Sequence, residues 1–195
     1  MKLRTTLIAA TVGSLFAGMA FAQTTATEVQ RDVNQQNRIE QGLKSGQLNT
    51  REAGRLEHEE AGVERMETNS LKDGTLSDAE KARINAAQNK VSNDIYREKH
   101  DAQTGNPNSA SSQRMQADVQ RDASQQKRIE QGVQSGQLTN RETAKLERGQ
   151  ARDSRLQARS GRDGHVGAGE QQRLQANENH QSKRIWRKKH NDRMQ

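Results

Sequence analysis

RIEQGLKSGQLNTREAGRL, residues 38–56, returns ninety residues later as RIEQGVQSGQLTNRETAKL, residues 128–146. The repetition runs without a gap from residues 28–101 to residues 118–191, with 33 identities over 74 aligned positions. A gap-free duplication of this length means one structural unit used twice. Within the quoted stretch a helical pattern stops at a Gly-containing turn, an aliphatic residue follows two places later, and a Glu stands at capping distance from Asn49 or Thr139.

Each unit reads as three helices. Val29, Gln36 and Leu43 lie a heptad apart, with Val33 and Ile39 beside them, so the first helix spans about residues 28–43. The second begins at Asn49 or Thr50 and reaches Glu67, with Ala53, Leu56, Val63 and Met66 as its apolar stripe. The third opens with the capping pair Ser77 and Glu80 and carries Ile84, Ala87, Val91 and Ile95 toward Lys99. A step G-x-L-x-x-x-E-x-x-x-L occurs at Gly46, Gly74, Gly136 and Gly164, with Val166 as the aliphatic residue of the last. Its glycines supply the positive φ that ends an incoming helix. Gln, Glu, Arg, Lys and Ala fill the rest, and Pro occurs once, at Pro107. The expected fold is all-α, an elongated pair of tandem three-helix units built from Gly-turn hairpins.

Residues 1–22 have the form of an export signal: Lys2 and Arg4, an apolar run from Leu7 to Phe21, and Ala20-Phe21-Ala22 as a small-x-small cleavage pattern. Cleavage near Ala22 sends the chain to the periplasm or outside the cell, with no transmembrane segment in the mature part. The expected organisation is a flexible N-terminus at 23–27, units at 28–101 and 118–191, a linker at 102–117 and a tail at 192–195. Cysteine is absent, which removes disulfides, thiolate metal sites and thiol nucleophiles.

Large apolar residues are scarce and aromatics make up 2% of the chain, so a deep organic-ligand pocket is not expected. The first unit carries −3 and the second, counted to the C-terminus, +7. That asymmetry points to an anionic envelope component or a protein partner rather than to specific nucleic-acid readout. The third helices end on matching phrases, Ile95-Tyr96-Arg97-Glu98-Lys99-His100 and Ile185-Trp186-Arg187-Lys188-Lys189-His190. In the second, Ile185 and Trp186 either dock the helix end or present an aromatic-tipped basic patch with Lys183, Arg184, Arg187, Lys188 and Lys189. No catalytic signature is present, so a non-enzymatic binding protein is expected, without a cofactor.

The Asp-Gly turns resemble the second half of an EF-hand calcium loop. Gly74, Leu76 and Glu80 keep the family's sixth, eighth and twelfth positions, with Asp73 at the fifth; Asp163, Gly164, Val166 and Glu170 repeat them. The resemblance implies a low-affinity cation site on Asp73 and Glu80, or on Asp163 and Glu170. The sequence departs from the loop at its first position, Asn69 or Arg159, and its third, Leu71 or Gly161. The equivalent His100 and His190 form a second candidate metal pair. More broadly, the repeated phrases following a signal peptide resemble exported bacterial tandem-repeat helical proteins, a resemblance that implies architecture and export but no activity.

Overall fold

The structure, a computed structural model, describes residues 16–191, with side chains from residue 25 onward; most of the expected export signal and the tail at 192–195 lie outside the described residues. It is all-α, with six helices: α1 Phe16–Ser45, α2 Thr50–Ser70, α3 Asp78–Glu98, α4 Ala110–Gln134, α5 Asn140–Ser160 and α6 Ala168–Lys189. Among the described residues there is no strand, and no helix is long and apolar enough to cross a membrane.

Local chemistry fixes the helix boundaries. Asn49 and Ser77 cap α2 and α3 in complete capping boxes with Glu52 and Glu80, and Thr139 does so for α5 with Glu142. Each box satisfies backbone donors that a helix start would otherwise leave open. The four turn glycines all take positive φ, between 72° and 95°. Gly46 follows α1 directly and Gly136 follows α4 after the cap residue Ser135, as expected. Gly74 and Gly164 instead lie several residues beyond α2 and α5, inside a turn. The aliphatic residue of each step, Leu48, Leu76, Leu138 or Val166, is buried under its hairpin.

Packing runs chiefly between the copies. α2 lies along α5 and α1 along α4 more extensively than any two helices meet within a copy. The α2–α5 pair is antiparallel: Gly54 lies against Gly161, and Ser154 Oγ meets Glu64 Oε2 at 3.0 Å. The apolar clusters are shared accordingly. Ile39, Leu43, Leu56 and Ile95 pack with Met115 from the first half of α4 and with Val119 and Val166 of the second copy. Val29 joins Ile129, Val133, Leu146 and Ile185, and Ala144 completes a third cluster with Leu71, Leu76 and Ile84. A chain with few large apolar residues thus pools them across the repeat boundary, which raises the buried fraction that either copy could reach alone.

Candidate functional site

The α2–α5 pair presents two contrasting faces. Its inner face is acidic. Glu57, Glu60, Glu64 and Glu67 follow helical spacing along α2, and Glu147 and Asp153 stand on α5; each is at most 1% exposed. Asp32 of α1, Asp122 of α4 and Glu178 of α6 join them, equally buried. The interior also holds amides. Gln36 Nε2 donates to Glu57 Oε2 at 3.1 Å, and its counterpart Gln126 donates to Glu147 Oε2 at 3.1 Å and to Glu64 Oε1 at 3.2 Å. Gln157 Nε2 donates to Asp122 Oδ2 at 2.8 Å. Among the described residues one ion pair reaches this interior, Arg121 Nη1 to Glu178 Oε2 at 2.8 Å, while Arg31 acts on Asp32, and Arg152 and Arg184 on Asp153, through their charge.

Burial without counter-ions raises the carboxyl pKa values. Burial pushes Asp32 up to about 7, Glu57 and Glu147 to about 8, and Glu178 to about 8 despite Arg121. Glu60, Glu64 and Glu67 are held well above the usual range by burial and then by neighbouring carboxyl groups, chiefly Asp32 and Glu147. Burial thus favours the neutral form of each of these acids over the charged one.

The outer face is basic. Arg148, Arg152, Arg155 and Arg159 recur at three- and four-residue intervals along α5, and Arg162 continues the row into the following turn. At the same positions in the first copy stand His58, Gly62, Arg65, Asn69 and Lys72, so the stripe belongs to the second copy and accounts for much of its charge. Across α2, Arg51, Arg55 and His58 face Arg155, Arg159 and Arg162 over a groove of about 640 Å³. A second depression continues it between Arg65 and Arg148, Arg152 and Arg155. Among the described residues none of the five arginines from 148 to 162 forms an ion pair, whereas Arg55 is bound to Glu98 at 2.7 Å. Arg184 of α6 adjoins the row: burial and the charges of Arg152 and Arg148 lower its pKa.

The expected basic patch on α6 is only partly assembled. Ile185 is buried, while Trp186 is 57% exposed and stacks on His190 at a 4.5 Å centroid distance. Trp186 therefore does not dock the helix end; its neighbour Ile185 does. Trp186 and Lys183 border a shallow depression with Arg128. Arg187 is exposed, Lys188 reaches Glu142 Oε1 at 3.4 Å, and Lys189 is half-buried with its pKa lowered by burial and by Arg128. Tyr96 stacks on His100 in the same way at 4.2 Å. Both histidines direct Nδ1 at a carbonyl four residues back, and neither belongs to a group of three cation ligands among the described residues.

In the Asp-Gly turns, Asp73 Oδ1 accepts from Thr75 N at 2.9 Å, and Asp163 Oδ1 from His165 N at 2.9 Å. Glu80 Oε2 accepts from Ser77 N at 3.0 Å, and Glu170 Oε2 from Gly167 N at 2.9 Å. The oxygens that the EF-hand resemblance would give to a cation hold turn and helix-start donors here.

The sequence reading missed both the arginine stripe and the acidic interior. Each had a signal: four arginines on one helical face with a fifth in the turn after it, and four glutamates at helical spacing that share a turn with Leu56 and Val63. No protein family, curated protein or solved structure matches the chain.

Proposed function

We propose that this is a non-enzymatic exported protein, made of two three-helix repeat units, that binds an anionic component of the cell envelope. The ligand is an extended chain bearing repeated phosphate or carboxylate groups. The observation that carries the reading is the row Arg148, Arg152, Arg155, Arg159 and Arg162, without an ion pair among the described residues, along the α2–α5 groove and the depression that continues it. Guanidinium groups present fork-shaped donors that suit both anions, and a regular row suits a repeating charge. Partial charge pairing makes such a groove a reader of charge density rather than of sequence. Arg184, whose charge adjoins Arg152 and Arg148, extends the surface toward α6.

The test is fluorescence anisotropy of labelled polyphosphate and labelled polygalacturonate, titrated with the mature chain. Binding is expected with log affinity falling linearly as log salt rises. The variant Arg152→Gln/Arg155→Gln/Arg159→Gln should weaken it about a hundredfold, taking roughly 1 kcal/mol per lost contact. An unchanged affinity in that variant overturns the reading.

A further inference from the structure

The buried side of the same helix pair carries chemistry that the groove does not use. One carboxylate oxygen each from Asp32 of α1, Glu67 of α2 and Glu147 of α5 lie within 4.8 Å of one another, and all three residues are buried. Three acids alone would be only an acidic cluster. Here they stand among buried polar groups whose bonding capacity is open. Gln88 of α3 is 0% exposed; its Nε2 reaches Asp32 at 2.8 Å, Glu67 at 3.2 Å and the Glu28 carbonyl at 3.0 Å, yet its Oε1 has no partner, and neither has one oxygen of each of Asp32, Glu67 and Glu147. Glu60, 1% exposed and close enough to Asp32 for their charges to interact, has neither oxygen partnered. Gln150, 0% exposed and one turn from Glu147 on the same buried face of α5, has neither amide atom partnered. Buried polar groups are nearly always satisfied by protein, water or an ion.

We propose that Asp32, Glu67 and Glu147 bind a hard divalent or trivalent cation inside the protein, with the amide oxygen of Gln88 as a neutral ligand. Every donor is oxygen, and neither His nor Cys stands in the group, which selects cations of the calcium, manganese or lanthanide type over zinc or copper. Gln88 becomes a ligand by a flip of its amide, which turns Oε1 toward the carboxylates and exchanges the three bonds that Nε2 gives to Asp32, Glu67 and the Glu28 carbonyl for a bond to the ion. Each acid that is protonated before the ion enters releases its proton to solvent on becoming a ligand. The ligands come from both copies, Asp32 and Glu67 from the first and Glu147 from the second, so the ion would tie the duplicated halves together. This site is separate from the arginine groove, and neither proposal depends on the other.

The experiment is terbium(III) luminescence on the chelator-treated mature chain, with lifetimes compared in H2O and D2O, alongside calorimetry with CaCl2 and MnCl2. The expected result is one ion per chain, with few bound waters, and release of protons seen as a buffer-dependent heat. Asp32→Asn and Glu67→Gln should each weaken binding about a hundredfold. Because these near-isosteric changes remove a buried acid, the variants should stay folded, and circular dichroism confirms it. Asp73→Asn/Glu80→Gln in the Asp-Gly turn, and Glu98→Gln/Asp101→Asn in the more exposed acidic group that these two form with Glu52, should leave the affinity unchanged. Absence of binding up to millimolar metal overturns the proposal. So does binding that survives in Asp32→Asn and Glu67→Gln, or a lifetime showing a largely hydrated ion, since either marks a surface site.

Discussion

Arg141 Nη2 donates to the backbone carbonyl of Asp73 at 2.9 Å, and ninety residues away its counterpart Arg51 Nη2 donates to the carbonyl of Asp163 at 3.1 Å. Each copy thus grips the Asp-Gly turn of the other with the first turn of its middle helix. Asn140 adds a bond to the Gly74 carbonyl at 3.1 Å. The turns that resemble a cation loop act here as reciprocal docking points, and the carbonyl that a guanidinium holds is fixed by the Asp side chain folded over it. The duplication produces a clasp in which the two sets of sparse aliphatics meet.

That clasp predicts the behaviour of the separated copies. Residues 23–104 and 105–195, expressed apart, should each show weak helicity, because Leu43 and Leu56 lose Met115 and Val119, while Ile129 and Leu146 lose Val29. Mixed one to one, they should regain the helix signal of the intact chain. Far-UV circular dichroism of each fragment and of the mixture decides it; cooperative melting of either fragment alone would contradict the shared core.

Close backbone approach at the clasp predicts a set of glycine effects. A Cβ at Gly161 would lie 2.6 Å from Met115 Cε and 2.8 Å from Thr50 O, and one at Gly105 would lie 2.3 Å from Leu48 O. Backbone oxygens cannot yield cheaply, so Gly161→Ala and Gly105→Ala should each cost about 1–3 kcal/mol. Gly169, in the first turn of α6, has nothing within 4 Å of a built Cβ. Gly169→Ala should stabilise by roughly 0.5–1 kcal/mol through helix propensity. Urea unfolding of the three variants checks both the signs and the ranking.

Much of this fold was legible in the sequence. Capping pairs such as Asn49 with Glu52 and Ser77 with Glu80 are local devices, and local chemistry places helix starts within a residue. Gly46 and Gly136 likewise announce their positive φ. What stayed hidden depends on distance. Nothing near Glu64 in the chain says that Ser154 and Gln126 will meet it, and an acidic side chain on an amphipathic helix reads as solvated until a partner covers it. Gln36 falls at a heptad position between Val29 and Leu43, a sign that the seam admits polar groups. For Trp186 the sequence left docking and exposure open, and packing decides: the largest apolar residue of α6 lies outside, stacked on His190, while Ile185 beside it fills the core.

Glu57 gives a pH prediction with a defined sign. Its carboxyl is fully buried, faces Gln36, Ser154 and the charge of Asp118, and is pushed by burial up to about 8 from 4.5. The folded state therefore holds a proton that the unfolded chain releases above pH 4.5. Stability from this group is full below the unfolded value and falls as pH rises toward the folded one, at about 1.4 kcal/mol per pH unit for each such carboxyl. Asp32, Glu147 and Glu178 act in the same direction. In chelator-treated buffer the melting temperature should thus be higher at pH 5 than at pH 8. Glu57→Gln replaces an acid that must stay neutral by a neutral amide of nearly the same shape. It should raise the melting temperature at pH 8 by several degrees, since for a chain of this size about 1 kcal/mol corresponds to about 2–4 °C. At pH 5 the wild-type carboxyl is already mostly protonated, so the same substitution should change little. Differential scanning calorimetry of both proteins across this range reads the difference directly, and a stabilisation equal at both values would mean that the proton on Glu57 is not its source.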